Sequence, residues 1–170
     1  MIIVSLTTIP PRFQYLYITI DSILNQTIQP DKIMIHIPEI YNNYSQDKLP
    51  EFSNDKIIIN RQTKDYGPGT KLLGVYNTEL FNNMSNDDII IVIDDDRIYN
   101  NKLIENMLNY HVLNKDKVLT ICGWGTEALT RNCIVTSKNK QPRGVEFTKE
   151  GYVDVLGGCG GFLITKKNCP

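Results

Sequence analysis

The stretch IIIVIDDDRIY, residues Ile89 to Tyr99, decides the fold. Ile89, Ile90, Ile91, Val92 and Ile93 are five consecutive β-branched residues. Such a run suits a strand buried on both faces, as in the middle of a parallel sheet. It stops at Asp94, Asp95 and Asp96. Three adjacent carboxylates repel one another, and at the end of a buried strand they call for a neutralising cation. Hard oxygen ligands at that place suit Mg²⁺ or Mn²⁺ with phosphate oxygens completing the shell, and in open α/β sheets the ligand crevice lies at the same edge. The alternative is an acidic turn solvated by water.

With 170 residues and 41% hydrophobic side chains, the chain suits one globular domain with a full core. A formal net charge of −1 and scattered Lys and Arg give no basic stripe, so nucleic acid is not an expected partner. No apolar run approaches the ~20 residues of a membrane span. Met1 leads into Ile2-Ile3-Val4 without a basic segment or signal-peptide pattern, so the expected setting is cytoplasmic. Cys122, Cys133, Cys159 and Cys169 form no CxxC pair, which suits reduced thiols.

Working outward, Ile2 to Leu6 reads as a first strand, followed by Thr7-Thr8-Ile9-Pro10-Pro11-Arg12, where two prolines enforce extended backbone. Leu16, Ile20, Ile23 and Leu24 recur at helical spacing within a helix over Phe13 to Asn25. Lys32 to Ile37 and Lys56 to Asn60 read as strands, separated by an irregular, polar excursion from Glu39 to Asp55. Asp65 to Lys71 is a turn with Thr70 placed to cap a helix that carries Leu72, Leu73, Tyr76, Leu80 and Phe81. After the aspartates, the pattern predicts a helix over Leu103 to Leu113, a strand over Val118 to Cys122, and a further strand at Cys133 to Thr136 within a loop. Tyr152 to Leu156 then leads through a turn at Gly157 to Gly161 into the strand Phe162 to Thr165. The order is that of an α/β domain with a mainly parallel central sheet flanked by helices.

Several residues carry a chemical reading beside a plainer one. Thr7, Thr8 and Arg12 would sit at the same sheet edge as the aspartates and could hold a base or ribose, or simply form a stiff connection. A helix N-terminus after Asp65, with the cation of Lys71, favours a diphosphate, although the P-loop spacing is missing and a capped turn serves equally. Asp154, in an apolar run before the glycines, could be a general base, or could bond to the N–H groups of Gly157 and Gly158. Trp124 between two glycines could stack on a sugar ring, though core is its commoner place. His36 and His111 have no sequence partners and read as structural or surface residues.

Together, Val4-Ser5-Leu6-Thr7-Thr8, Ser22-Ile23-Leu24-Asn25-Gln26-Thr27 and Asp94-Asp95-Asp96-Arg97-Ile98-Tyr99 resemble the nucleotide-sugar-dependent glycosyltransferases of the GT-A fold. The resemblance is to the large inverting family that includes cellulose and chitin synthases. Asp65-Tyr66-Gly67-Pro68-Gly69-Thr70-Lys71 combined with the triple aspartate looks like a smaller group, some encoded by large DNA viruses. The resemblance implies a single GT-A, Rossmann-like domain over residues 1–170, with a nucleotide-sugar half at 1–99 and an acceptor-side half at 100–170. It implies that Thr7 and Thr8 line the base and ribose pocket, with Arg12, Asp65 and Lys71 near the nucleotide. Asp94 or Asp95 would meet the ribose, and Asp96, with Asp94, would hold Mn²⁺ or Mg²⁺. Asp154 would be the catalytic base, and Trp124, Gly157 and Gly158 would face the acceptor. The implied activity moves a sugar, with inversion, from a UDP-sugar to a glycan or other hydroxyl acceptor. Val153 stands where the family carries the first of an acidic pair, and the second half is short for such enzymes. Asp94-x-Asp96 after an apolar strand also imitates the nucleophile motif of haloacid-dehalogenase-type phosphatases, though late in the chain. A non-catalytic nucleotide- or sugar-binding domain is the remaining alternative.

Overall fold

The computed structural model describes residues 1–45, 48–124 and 155–169. Six strands form one sheet: β1 (Ile2–Thr7), β2 (Lys32–Pro38), β3 (Ile57–Gln62), β4 (Ile89–Val92), β5 (Leu119–Trp124) and β6 (Val155–Thr165). Their spatial order is β3-β2-β1-β4-β6-β5. The first four are mutually parallel, and β6 runs against both β4 and β5. The helices are α1 (Leu16–Leu24), α2 (Thr70–Tyr76), α3 (Glu79–Asn83) and α4 (Leu103–Leu113). Among them, no helix is long and apolar enough to cross a membrane.

Every residue of β4 is buried, because its alternate side chains enter two different cores. Ile89, Ile91 and Ile93 join Val4, Leu6, Ile33 and Ile35 under α1 and α4, contributed by Leu16, Ile20, Ile23, Leu103 and Ile104. Ile90 and Val92 join Ile3, Met34, Phe162 and Ile164 on the other face, with Val75 of α2. A strand sandwiched in this way cannot alternate polar and apolar residues, which explains the unbroken run.

The layout departs from the sequence reading at four places. Pro10 and Pro11 do not extend the chain. They open a 3-10 turn, Pro10–Tyr15, that leads into α1, because proline at the first positions of a helical turn loses no needed N–H. Thr70 is not a cap but the first residue of α2, and its hydroxyl accepts the Tyr66 N–H at 3.0 Å. The expected single helix breaks at Asn77 and Thr78, where Thr78 caps α3 by accepting the Phe81 N–H at 3.2 Å. The glycines Gly157 to Gly161 form no turn but lie within the eleven-residue β6. Gly161 shows why glycine is needed there: its φ is +93°, and a Cβ would lie 3.3 Å from the Val92 carbonyl oxygen. The register against β5 slips between Thr120 and Cys122. The expected strand at Cys133 to Thr136 lies outside the described residues.

His36 of β2 is fully buried beneath α2, its Nδ1 3.0 Å from the Asn60 amide nitrogen. A methyl group at Gly74 would come within 2.5 Å of the same ring, so the helix approaches His36 only through a glycine. Burial pushes the imidazole down to about 4, from an ordinary 6.5. Above pH 6.5 the ring is neutral in both folded and unfolded chains. As pH falls from there towards 4, the unfolded chain gains a proton that the folded one refuses, so stability is lost. The unfolding free energy is expected to drop by about 2 kcal/mol between pH 7.5 and 5. Urea titrations across that range check this, and His36→Gln should remove most of the slope; an unchanged slope would contradict it.

Candidate functional site

The connection from β1 to β2 passes to one side of β1, while the chain returns from β3 to β4 on its other side. The crossovers therefore part between β1 and β4, and a crevice at the carboxyl ends of those strands is where open α/β sheets bind ligands. Ile93 N–H donates to the Ser5 carbonyl at 3.0 Å, so the three aspartates emerge beside Leu6, Thr7 and Thr8.

The aspartates divide between two cations. Lys71 Nζ donates to Asp94 Oδ1 at 2.5 Å. Arg12 donates through one terminal nitrogen to Asp95 Oδ1 at 2.7 Å and approaches Asp96 Oδ2 with the other at 3.3 Å. Burial acts to lower the Arg12 pKa, but the hydrogen bond to Asp95 and the charges of Asp95, Asp96 and Asp94 outweigh it and raise it. Arg97, next in the chain, is exposed. No three Asp, Glu, His or Cys side chains among the described residues are grouped so as to hold a metal ion. Repulsion among the aspartates is relieved by two cations from distant parts of the chain.

Each cation is aimed by local structure. The 3-10 turn carries Arg12, whose N–H donates to the Ile9 carbonyl at 2.8 Å. Lys71 stands in the first turn of α2, and its carbonyl accepts the Ser5 hydroxyl of β1. With only seven residues, α2 offers a weak dipole, so the charge at its start is the Lys71 ammonium itself.

The aspartate turn is pinned from α1 and from its own end. Asp94 N–H donates to Tyr99 Oη at 2.9 Å, and the same hydroxyl donates back to the Asp94 carbonyl at 3.3 Å. Tyr99 N–H donates to Ser22 Oγ at 3.1 Å, and Thr19 Oγ1 donates to the Asp95 carbonyl at 2.8 Å. Gln26 takes the Ile104 N–H and donates to the Asn100 carbonyl, fixing the entry to α4. These bonds give the Ser22 to Thr27 segment a physical role: its polar side chains hold the aspartate loop against the sheet.

Two polar atoms at this edge stay unsatisfied. Thr8, 1% exposed, has no partner for Oγ1, and Asp95, 3% exposed, has none for Oδ2, among the described residues. Buried groups of this kind are costly unless something bonds to them. Thr7 Oγ1 is engaged, donating to the His36 carbonyl at 2.8 Å. Asp65 is engaged too, accepting the N–H groups of Gly67 at 2.7 Å and Asn42 at 3.1 Å. Tyr41, with no signal in its irregular stretch of sequence, donates to the Thr8 carbonyl at 3.0 Å. Burial raises its pKa to about 12; Arg61 acts to lower it, and Asp65 and Asp95 act with burial to raise it. Trp124 ends β5, and Gly157 lies opposite Cys122 in β6 with Gly158 following. Asp154 lies outside the described residues.

No family model matches the chain, and no curated protein matches it in sequence. Solved structures do match. S. aureus TarS, residues 1–349, aligns at 15% identity with a TM-score of 0.50, over 85% of this chain and 38% of that one. Francisella tularensis IspD, a 2-C-methyl-D-erythritol 4-phosphate cytidylyltransferase, aligns at 15% identity with a TM-score of 0.55, over 98% of this chain and 72% of that one. The fold is GT-A-like and Rossmann-like. The present chain spans well under half the length of the TarS fragment it matches.

If the Tyr99 hydroxyl and the Thr19 hydroxyl secure one loop, Tyr99→Phe and Thr19→Val should each lower stability by about 1–2 kcal/mol. The double variant should lose less than the sum, because both act on the same turn. Urea denaturation of the four proteins measures this; strictly additive or negligible losses would contradict it.

Proposed function

We propose that the chain transfers a sugar from a nucleotide-sugar donor, a UDP-sugar first among them, to a hydroxyl of a glycan or similar acceptor. The observation that carries this reading is the ion-paired edge at the β1–β4 switch point, where Lys71 and Arg12 pair with the three aspartates. Of the fold neighbours, TarS is a glycosyltransferase and IspD a nucleotidyltransferase, which supports work on nucleotide-type substrates in general. Residues 1–99 are proposed as the donor half and 100–170 as the acceptor side.

In this reading Lys71, held by Asp94, meets an oxygen of the donor's diphosphate, and Thr8 Oγ1 bonds to the nucleoside. Asp96 is the carboxylate open to a divalent ion: its side chain is 45% exposed and its only ion-pair partner among the described residues is Arg12 at 3.3 Å. The orphaned Asp95 Oδ2 is a further oxygen ligand in the same turn. One or two carboxylates plus substrate phosphates suffice for Mg²⁺ or Mn²⁺, so no third protein ligand is required. Held there, a divalent ion would supply Lewis-acid stabilisation of the charge that develops as the diphosphate departs. Asp154 is proposed to take the proton from the attacking acceptor hydroxyl as general base, with inversion at the anomeric carbon.

The IspD likeness, which spans 98% of this chain, favours nucleotidyl transfer as a second reading. The two differ in what is released: a nucleoside diphosphate in sugar transfer, pyrophosphate in nucleotidyl transfer.

Calorimetry with UDP should give binding that needs Mn²⁺ and is lost in Asp96→Ala. Incubation with a panel of sugar nucleotides should release the nucleoside diphosphate. Asp154→Asn should keep UDP affinity within about 2-fold while transfer falls by about 10²–10⁴-fold. Absence of UDP binding, or release of pyrophosphate from a nucleoside triphosphate instead, would overturn the proposal.

A further inference from the structure

Within the ion-paired set at the β1–β4 edge, three carboxylates face only two cations. That set is net negative by one charge and offers a diphosphate no surplus attraction. Both cations suited to a diphosphate are already bonded to aspartates. Lys71 is tightly engaged, its side chain 13% exposed and its carbonyl tied to β1. Arg12 differs. Its side chain is 44% exposed, and it makes one short bond to buried Asp95 and one longer contact to exposed Asp96. The short bond anchors it, while the longer contact is easily exchanged because solvent weakens it. Asp95 Oδ2, in the same ion-paired turn, and Thr8 Oγ1, just past the end of β1, are both buried and without a partner among the described residues.

We infer that Arg12 is an exchangeable counter-ion: it neutralises Asp96 in the free protein, yields that carboxylate to a divalent cation, and turns the freed N–H groups to the diphosphate. The inference rests on the donor-binding reading above and deepens it. The guanidinium stays on Asp95 throughout, so the exchange needs only a side-chain rotation and no movement of the 3-10 turn. The consequence is thermodynamic: cation and nucleotide bind with positive coupling, and each strengthens the other by the same factor. A divalent cation on Asp96 turns the set positive by one charge and at the same time releases a fork suited to bidentate phosphate contact.

The test compares wild type with Arg12→Gln in three titrations: Mn²⁺ alone, UDP alone, and UDP with saturating Mn²⁺. Removal of the competing cation should tighten Mn²⁺ alone by about 3- to 5-fold. UDP in the presence of Mn²⁺ should weaken by about 10- to 100-fold, with the coupling factor falling accordingly. A folded Arg12→Gln protein whose Mn²⁺ affinity is unchanged or weaker overturns the inference. Since Arg12 also holds Asp95, the wild-type chain carries an independent check. Its Arg12 side-chain N–H resonances should shift on addition of Mg²⁺ and again on addition of UDP. Resonances that stay still while Mg²⁺ and UDP bind overturn the inference and leave the donor-binding reading intact. Wild-type protein that binds neither Mn²⁺ nor UDP removes both.

Discussion

Three adjacent carboxylates at the end of a fully buried strand are the constraint on which this molecule depends. At contact distances like charges repel strongly where the dielectric is low, so three neighbouring carboxylates call for compensating charge close by. The chain supplies it from two directions: Lys71 from the first turn of α2 and Arg12 from the 3-10 turn after β1. A pair this close to a buried edge is weak evidence of stability but strong evidence of a specified arrangement, since losing one partner strands a buried charge. Asp95, 3% exposed, is the member that could least tolerate being stranded.

The sheet topology puts that local need at a topological switch point. β1 and β4 are parallel neighbours whose crossovers leave in opposite directions, so the loops after both strands begin side by side at the edge where open α/β sheets bind ligands. The Ser5 hydroxyl on the Lys71 carbonyl, Thr19 on the Asp95 carbonyl and Tyr99 on the Asp94 peptide brace the crevice from both helical layers. Thr8 Oγ1, just past β1, and Asp95 Oδ2, in the aspartate turn, are buried there without a partner among the described residues. A rigid frame with a few open polar atoms is the arrangement expected where a ligand completes the bonding.

Much of this was legible in the chain. Unbroken Ile and Val runs located β1 and β4, since only burial on both faces tolerates them, and the spacing of Leu16, Ile20 and Ile23 located α1. The aspartates were legible as a charge problem, and parallel strands put Thr7, Thr8 and Arg12 at the same edge. How that charge is balanced was not legible, because Arg12 and Asp95 are 83 residues apart and their meeting is purely tertiary. The glycines of β6 read as a turn because glycine favours turns; the nearness of the Val92 carbonyl, a tertiary contact, explains Gly161 in a strand. Thr70 read as a cap because threonine favours that position; the 3-10 turn Gly67–Gly69 runs straight into α2 and places Thr70 inside the helix. Tyr41 gave no local signal at all, since its partner is a backbone carbonyl 33 residues away, just past the end of β1.

The rim where β1 and β4 end is the proposed seat of a nucleotide's diphosphate. The most direct measurement is a crystal structure of the chain grown with UDP and Mn²⁺. The account predicts the diphosphate at that rim, with an oxygen bonded to Lys71 Nζ, Mn²⁺ on Asp96, and Arg12 turned from Asp96 to phosphate. A nucleotide bound elsewhere, or a rim in which Arg12 and Lys71 keep their aspartates while UDP occupies another surface, would contradict it.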